Sequence, residues 1–240
     1  MLESYVEKIY EYPDGSKRIT QYKTPVTRGS GSAKVPDTTG RSKNIPAEEK
    51  EENDRQYLFK VKRRIKDYVR SNDFKYFVNL TFGKNRTDEE EKFKQLDNWL
   101  RYMKKKHGLF AYVIVPERHK TGEIHFHGVF GECGMELVDS GVKEKGRTIY
   151  NMPEWRYGFT HVSVIEHRGK TANYLVDSYM TKDNMDVVPE GKKKYWSSNG
   201  LRKPVVSYSA EYTNYDVLPN WTNDEGDIAI YEIAPPNNSE

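Results

Sequence analysis

Leu109-Phe-Ala-Tyr-Val-Ile-Val-Pro116, Glu117-Arg-His-Lys-Thr-Gly122 and Glu123-Ile-His125-Phe-His127-Gly-Val-Phe130 form the continuous stretch from which the fold is read. Two β-prone runs, Leu109–Pro116 and Glu123–Phe130, flank the polar turn Arg118–Gly122, which predicts a hairpin. On a strand, residues i and i+2 face the same way, so His125 and His127 project together while Phe126 packs on the other side. Two neighbouring imidazoles can ligate one divalent ion. A turn of five or seven residues brings Glu117 to that face, because 117 and 125 share parity; a one-residue bulge would undo this. Two histidines and one carboxylate leave positions open for water and phosphate oxygens, as a catalytic metal requires. A bare His-x-His more often decorates a solvated strand, so Glu117 in register is what favours the metal reading.

Outward from this hairpin, Tyr76–Phe82 is β-prone and stops at Gly83. Asp88–Lys106 reads as a helix: acids fill its first turn, lysines its last, and Phe93, Leu96, Leu100 and Met103 form one stripe. Upstream, Leu58, Val61, Ile65 and Val69 recur at helical spacing with Lys and Arg between them. Downstream, Phe159–Ile165 predicts a strand. Lys170–Lys182 predicts a helix with an inner stripe of Ala172, Leu175, Val176, Tyr179 and Met180. The order α-β-α-β-β-(irregular)-β-α predicts an α+β domain, a central antiparallel sheet with helices packed on it, over residues 54–206. Residues 1–53 read as an N-terminal hairpin around Asp14-Gly15-Ser16, followed from Thr24 by a linker or arm with almost no aliphatics. Residues 207–240 hold seven acids and no Lys or Arg, and read as an acidic, solubilising C-terminal tail.

The net charge of +3 therefore conceals an excess of about ten positive charges on residues 1–206, which suits a polyanionic partner. One cysteine, Cys133, excludes an internal disulfide framework and a thiolate-rich zinc site. The longest apolar run, Phe110–Val115, is far short of a bilayer span, and the acid-bearing start is unlike a secretory signal. The expectation is a soluble, cytoplasmic protein with no membrane partner.

Tyr179 and Lys182, three apart on the last predicted helix, lie on nearly the same face. A phenol with pKa near 10 is ionised about one part in a thousand at neutral pH, so using it as a nucleophile requires roughly 4 kcal/mol from its surroundings. A neighbouring ammonium and a metal-polarised electrophile would supply it; taken alone, Tyr179 reads more simply as a core aromatic. Lys192, Lys193, Lys194, Tyr195 and Trp196, with Arg202 and Lys203, mix cations and rings as single-strand binding surfaces do. Gly169-Lys170-Thr171 is not a phosphate loop, since Val164 stands where that motif needs its first glycine.

Together these features resemble the rolling-circle replication initiators of single-stranded DNA phages and plasmids, within the HUH (His-hydrophobic-His) nuclease superfamily. Phe77-Val-Asn-Leu-Thr-Phe82 resembles the first motif strand. Glu117 with Gly122-Glu-Ile-His125-Phe-His127-Gly128 resembles the metal motif. Trp155-Arg-Tyr-Gly158-Phe159 and Tyr195–Pro204 resemble flanking segments, and Tyr179-Met-Thr-Lys182 resembles the nucleophile motif. The resemblance spans Tyr76–Pro204. It implies a ferredoxin-like sheet, with Mg²⁺ or Mn²⁺ on Glu117, His125 and His127. It further implies a Tyr179 nucleophile assisted by Lys182, and nicking and rejoining of single-stranded origin DNA through a 5′-phosphotyrosine. The implied partners are origin single-stranded DNA and host replication proteins such as a helicase, in the cytoplasm of a bacterial host. Many phage initiators carry a second tyrosine four residues earlier, where this chain has Leu175. Tyr174, five earlier, would point about 140° away on an ideal helix and stands as a second candidate. The alternatives are a non-catalytic single-stranded DNA-binding protein, and a relaxase or transposase using the same chemistry.

Overall fold

The computed structural model describes residues 4–28, 47–83, 89–119, 122–181, 184, 187–188 and 193–236. In chain order its elements are β1 (Ser4–Glu11), β2 (Lys17–Thr27), α1 (Ala47–Ser71), β3 (Phe74–Phe82), α2 (Glu89–His107), β4 (Tyr112–Arg118) and β5 (Ile124–Gly131). There follow β6 (Val138–Glu144), β7 (Arg147–Asn151), β8 (Gly158–Val164), α3 (Arg168–Tyr179), β9 (Trp196–Ser197), β10 (Val205–Ser209), β11 (Trp221–Thr222) and β12 (Ile228–Ile233). The protein is α+β with two antiparallel sheets.

The chain divides into two units, Lys50–Arg202 and Met1–Glu49 with Lys203–Glu240, rather than the three consecutive segments 1–53, 54–206 and 207–240. In the second of these units the strand order is β10-β1-β2-β12-β11, so the acidic C-terminal segment flanks the N-terminal hairpin on both sides. The acidic segment is thus built into a sheet instead of trailing as a solubilising end. Its apolar residues alternate along Ile228-Ala-Ile-Tyr-Glu-Ile233, which suits a strand, and its acids are too sparse to prevent pairing. The buried Glu7 carboxylate ties the two ends, accepting from the Thr213 amide at 2.7 Å, the Tyr215 hydroxyl at 3.1 Å and Gln21 Nε2 at 2.7 Å. The hairpin turn is the expected one: Gly15 has φ +79°, and Asp14 Oδ1 accepts the Ser16 amide at 2.9 Å. The expected linker is shorter than Thr24–Asn53. β2 runs on to Thr27 and α1 starts at Ala47, where Glu48 and Glu49 favour a helix N-terminus; residues 29–46 lie outside those described.

The Lys50–Arg202 unit is a sheet of order β6-β7-β8-β3-β5-β4-β9 with helices on both faces. Strand parity sorts the side chains. Val78, Leu80, Ile114, Phe126 and Phe130 meet α2 through Leu96, Trp99 and Met103. Phe77, Val113, Val115 and Val129 meet α1 through Val61, Ile65 and Val69, and α3 through Ala172, Leu175 and Val176. These are the stripes read from the sequence, and each fully buried aliphatic contributes roughly 1.5–3 kcal/mol. The stretch expected to be irregular, before β8, contains the β6–β7 hairpin. Its exposed, mixed-polarity strands carry little burial signal.

The Trp155–Gly158 segment sets the start of β8. Trp155 Nε1 donates to the Thr81 carbonyl at 3.0 Å, and the Gly83 amide donates to the Tyr157 carbonyl at 2.8 Å. A Cβ on Gly158 would lie 2.2 Å from the Thr81 oxygen and 2.5 Å from the Gly83 nitrogen, so only glycine fits against this backbone. Gly158→Ala should therefore cost about 2–3 kcal/mol in urea denaturation. A loss below about 0.5 kcal/mol would mean that β8 shifts freely against β3.

Candidate active site

The site lies on the sheet face covered by α1 and α3. β4 and β5 pair Glu117 with His125 and Val115 with His127, and continue to Arg118–Ile124, which leaves a turn of five residues. The ladder has the parity that brings the carboxylate beside both imidazoles. One ligand atom from each of Glu117, His125 and His127 lies within 4.8 Å of the others. His127 is buried and half-enclosed by polar partners: Nε2 lies 2.6 Å from Glu117 Oε2, and Nδ1 lies 2.6 Å from Asn79 Oδ1 on β3. His125 stacks on His119 with ring centroids 5.3 Å apart.

Electrostatics prepare these groups as ligands. The hydrogen bond to His127 holds the Glu117 carboxyl below the usual carboxylate range despite its partial burial. Burial, followed by the nearby His127 and His119 rings, lowers the pKa of His125, while Glu117 opposes this more weakly. A carboxylate and a neutral imidazole are the forms that bind a cation. The donor set and its spacing fit a divalent ion.

α3 delivers the tyrosines. It ends at Tyr179, whose buried ring lies flat on His127 with centroids 3.6 Å apart and planes 6° apart. Burial pushes the Tyr179 hydroxyl above the usual phenol range, and the adjacent Tyr174 adds to this. The Tyr174 and Tyr179 hydroxyls are 2.8 Å apart, contrary to the divergence expected from ideal helical spacing. Two long side chains close the angle. Both rings lean over Phe77, at 5.6 Å and 6.5 Å, and the more exposed Tyr174 reaches forward to the end of the helix. Lys182 lies outside the described residues.

Two residues to which the sequence assigns no role support this arrangement. Asn79, a polar residue in the middle of an apolar strand, orients His127. The buried Asn184 donates from Nδ2 to the Tyr179 carbonyl and accepts the Arg118 amide, each at 2.9 Å, clasping the end of α3 to the end of β4. The parity of Asn79 was a legible signal; Asn184 had none.

The basic-aromatic segment is largely committed to packing. Tyr195 is buried against the α1 and α3 face, so its ring is not a stacking platform for bases. Trp196 donates to Asp97 at 2.9 Å and stacks on Phe93. Arg202 pairs with Asp73 at 2.7 Å, Lys194 donates to the Val188 carbonyl, and Lys193 sits over the Tyr195 ring at 4.2 Å. Lys203 is exposed in the other unit, and Lys192 lies outside the described residues. Side chains that read as a binding surface in one dimension are used to seat β9 on the edge of the sheet.

An α+β domain with a cation-binding trio against a pair of tyrosines is a site built for phosphate chemistry. Residues 75–184 match the model of a family described as replication-associated protein ORF2, which supports a replication-initiator family and a role in DNA replication. That match begins within β3 and ends at Asn184, so it encloses the trio, both tyrosines, Asn79 and Asn184. Comparison with curated proteins and with solved structures gave no match. No helix among the described residues is long and apolar enough to cross a membrane.

Proposed function

We propose that this protein nicks and rejoins single-stranded origin DNA to initiate rolling-circle replication, as an HUH endonuclease with a ferredoxin-like sheet. The observation that carries this reading is the Tyr179 ring lying 3.6 Å over His127, beside the Glu117–His125–His127 trio. Glu117, His125 and His127 would hold Mg²⁺ or Mn²⁺, with imidazole favouring manganese. When bound, the ion supplies positive charge that polarises the scissile phosphodiester.

Tyr179 Oη forms the new bond to phosphorus, and the P–O3′ bond breaks with its electron pair on O3′. The phenol proton leaves through the Tyr174 hydroxyl at 2.8 Å. The products are a 3′-hydroxyl end, which serves as primer, and a 5′-phosphate joined to Tyr179. Attack by a new 3′-end reverses the step and rejoins strands without a nucleotide cofactor. Lys182 would orient the phosphate. A host helicase would open the duplex in the bacterial cytoplasm. Incubation with single strands of the replicon and Mn²⁺ should yield a protein–DNA adduct stable to denaturant. Binding without any adduct would instead favour a non-catalytic single-strand binder.

Asn79 has a positioning role in this scheme. By accepting from His127 Nδ1 it leaves Nε2 aimed at Glu117, the atom that would meet the ion. Asn79→Ala should weaken Mn²⁺ binding about 10–100-fold by titration calorimetry, with the circular dichroism spectrum unchanged. Equal affinity would remove Asn79 from the scheme.

A further inference from the structure

Across β8, β3 and β5 the register lines up His161, Asn79 and His127 in one row. Beyond Asn79 this row opens into a cleft of about 550 Å³, lined by Asn79, Tyr174, His161, Lys145, Arg147 and Lys170. Its volume falls within the range of roughly 300–1,000 Å³ usual for small-molecule sites, enough for a nucleotide or two. Phe77 and Ile149 give it an apolar wall. The cations arrive from two directions. Lys170 stands on the first turn of α3, and Lys145 stands at the tip of the β6–β7 hairpin. Arg147 is bidentate to Glu166, and His161 lies 3.7 Å from Glu144, so part of the local charge is already paired. Lys145 and Lys170 have no carboxylate partner among the described residues. Lys145 is also held at φ +49°, a left-handed conformation that a lysine adopts at a cost of about 1 kcal/mol. The adjoining Gly146 has φ +80°, so the pair forms the tight turn that brings the hairpin tip to the cleft.

We propose that this cleft receives the nucleotide of single-stranded DNA adjoining the bond opened at Tyr179. Lys145 and Lys170 hold its phosphate, and the Phe77, Ile149 and Tyr174 side covers its base and sugar. The proposal rests on the nicking reading and assigns the strand a path that the packed Tyr195–Arg202 segment does not offer. It gives the β6–β7 hairpin a function: it closes one wall of the strand-binding cleft from beyond the edge of the catalytic row.

The test uses the full chain and a fluorescently labelled oligothymidylate, with anisotropy titrations over a range of salt. Lys145→Gln with Lys170→Gln should weaken binding on the order of tenfold near 0.1 M salt. The slope of log K against log salt should fall by about 1.4, or about 0.7 for each phosphate that is no longer neutralised. Mn²⁺ binding should be unchanged. A matched pair on the opposite layer, Lys94→Gln with Lys105→Gln, should leave the slope as it is. An unaltered slope in the cleft variant, or an equal fall in both, would overturn the proposal in a protein that still forms the adduct. Binding that depends on the two cleft lysines, in a protein that forms no adduct on any strand, would sink the nicking reading and leave the cleft as a strand-binding site.

Discussion

Tyr179→Phe is expected to lower covalent capture of single-stranded DNA by at least about four orders of magnitude while leaving DNA binding intact. The substitution removes one oxygen and keeps the ring that stacks on His127. Losing the hydrogen bond to Tyr174 should cost only about 1 kcal/mol of stability, so the protein remains folded. The buried Tyr179 hydroxyl has a pKa above that of a free phenol, and it must lose its proton as it attacks. Tyr174 is the neighbour placed to receive that proton, which predicts a smaller effect for Tyr174→Phe, about tenfold on the first cut. Quantifying denaturant-stable adduct with a labelled oligonucleotide checks both variants. Capture that survives Tyr179→Phe and disappears in Tyr174→Phe would exchange the two roles, which the 2.8 Å contact makes geometrically feasible.

His127→Ala is expected to remove metal-dependent nicking by at least about a thousandfold and to abolish measurable Mn²⁺ binding. His127 is the hub of the site: it meets Glu117, Asn79 and Tyr179 at once, and its loss unties all three. Because the truncation also opens a void beneath Tyr179, His127→Gln provides the companion variant. It retains a polar side chain that can still reach Asn79 but presents no imidazole to an ion. Calorimetric Mn²⁺ titration and gel-resolved nicking, before and after chelation, separate a missing ligand from a damaged fold. Nicking that proceeds unchanged in His127→Gln would refute the assignment of these residues to a metal.

Strand alternation makes the two histidines on one face legible, and the parity of 117 and 125 adds the carboxylate from the order of residues alone. The helical stripes at Val61–Val69, Leu96–Met103 and Ala172–Met180 are equally clear, because periodic burial is imprinted on the order of apolar residues. Tyr195, Trp196 and Arg202 mislead for the converse reason. Cations and rings have the same composition whether they bind a nucleic acid or pack a sheet edge. Their partners Asp73, Asp97 and Phe93 are distant in sequence, so no local pattern announces them.

The chain order alone determined the layers of the catalytic unit and the residues that share a face, since both follow from periods of 2 and 3.6 residues along the backbone. The tertiary structure decided what depends on side-chain reach and long-range pairing. It brought the Tyr174 hydroxyl to that of Tyr179 across the expected 140°, fastened the end of α3 to β4 through Asn184, and drew the acidic C-terminal strands beside the N-terminal hairpin. Those contacts join residues whose separation in sequence, or whose length of side chain, no local period encodes.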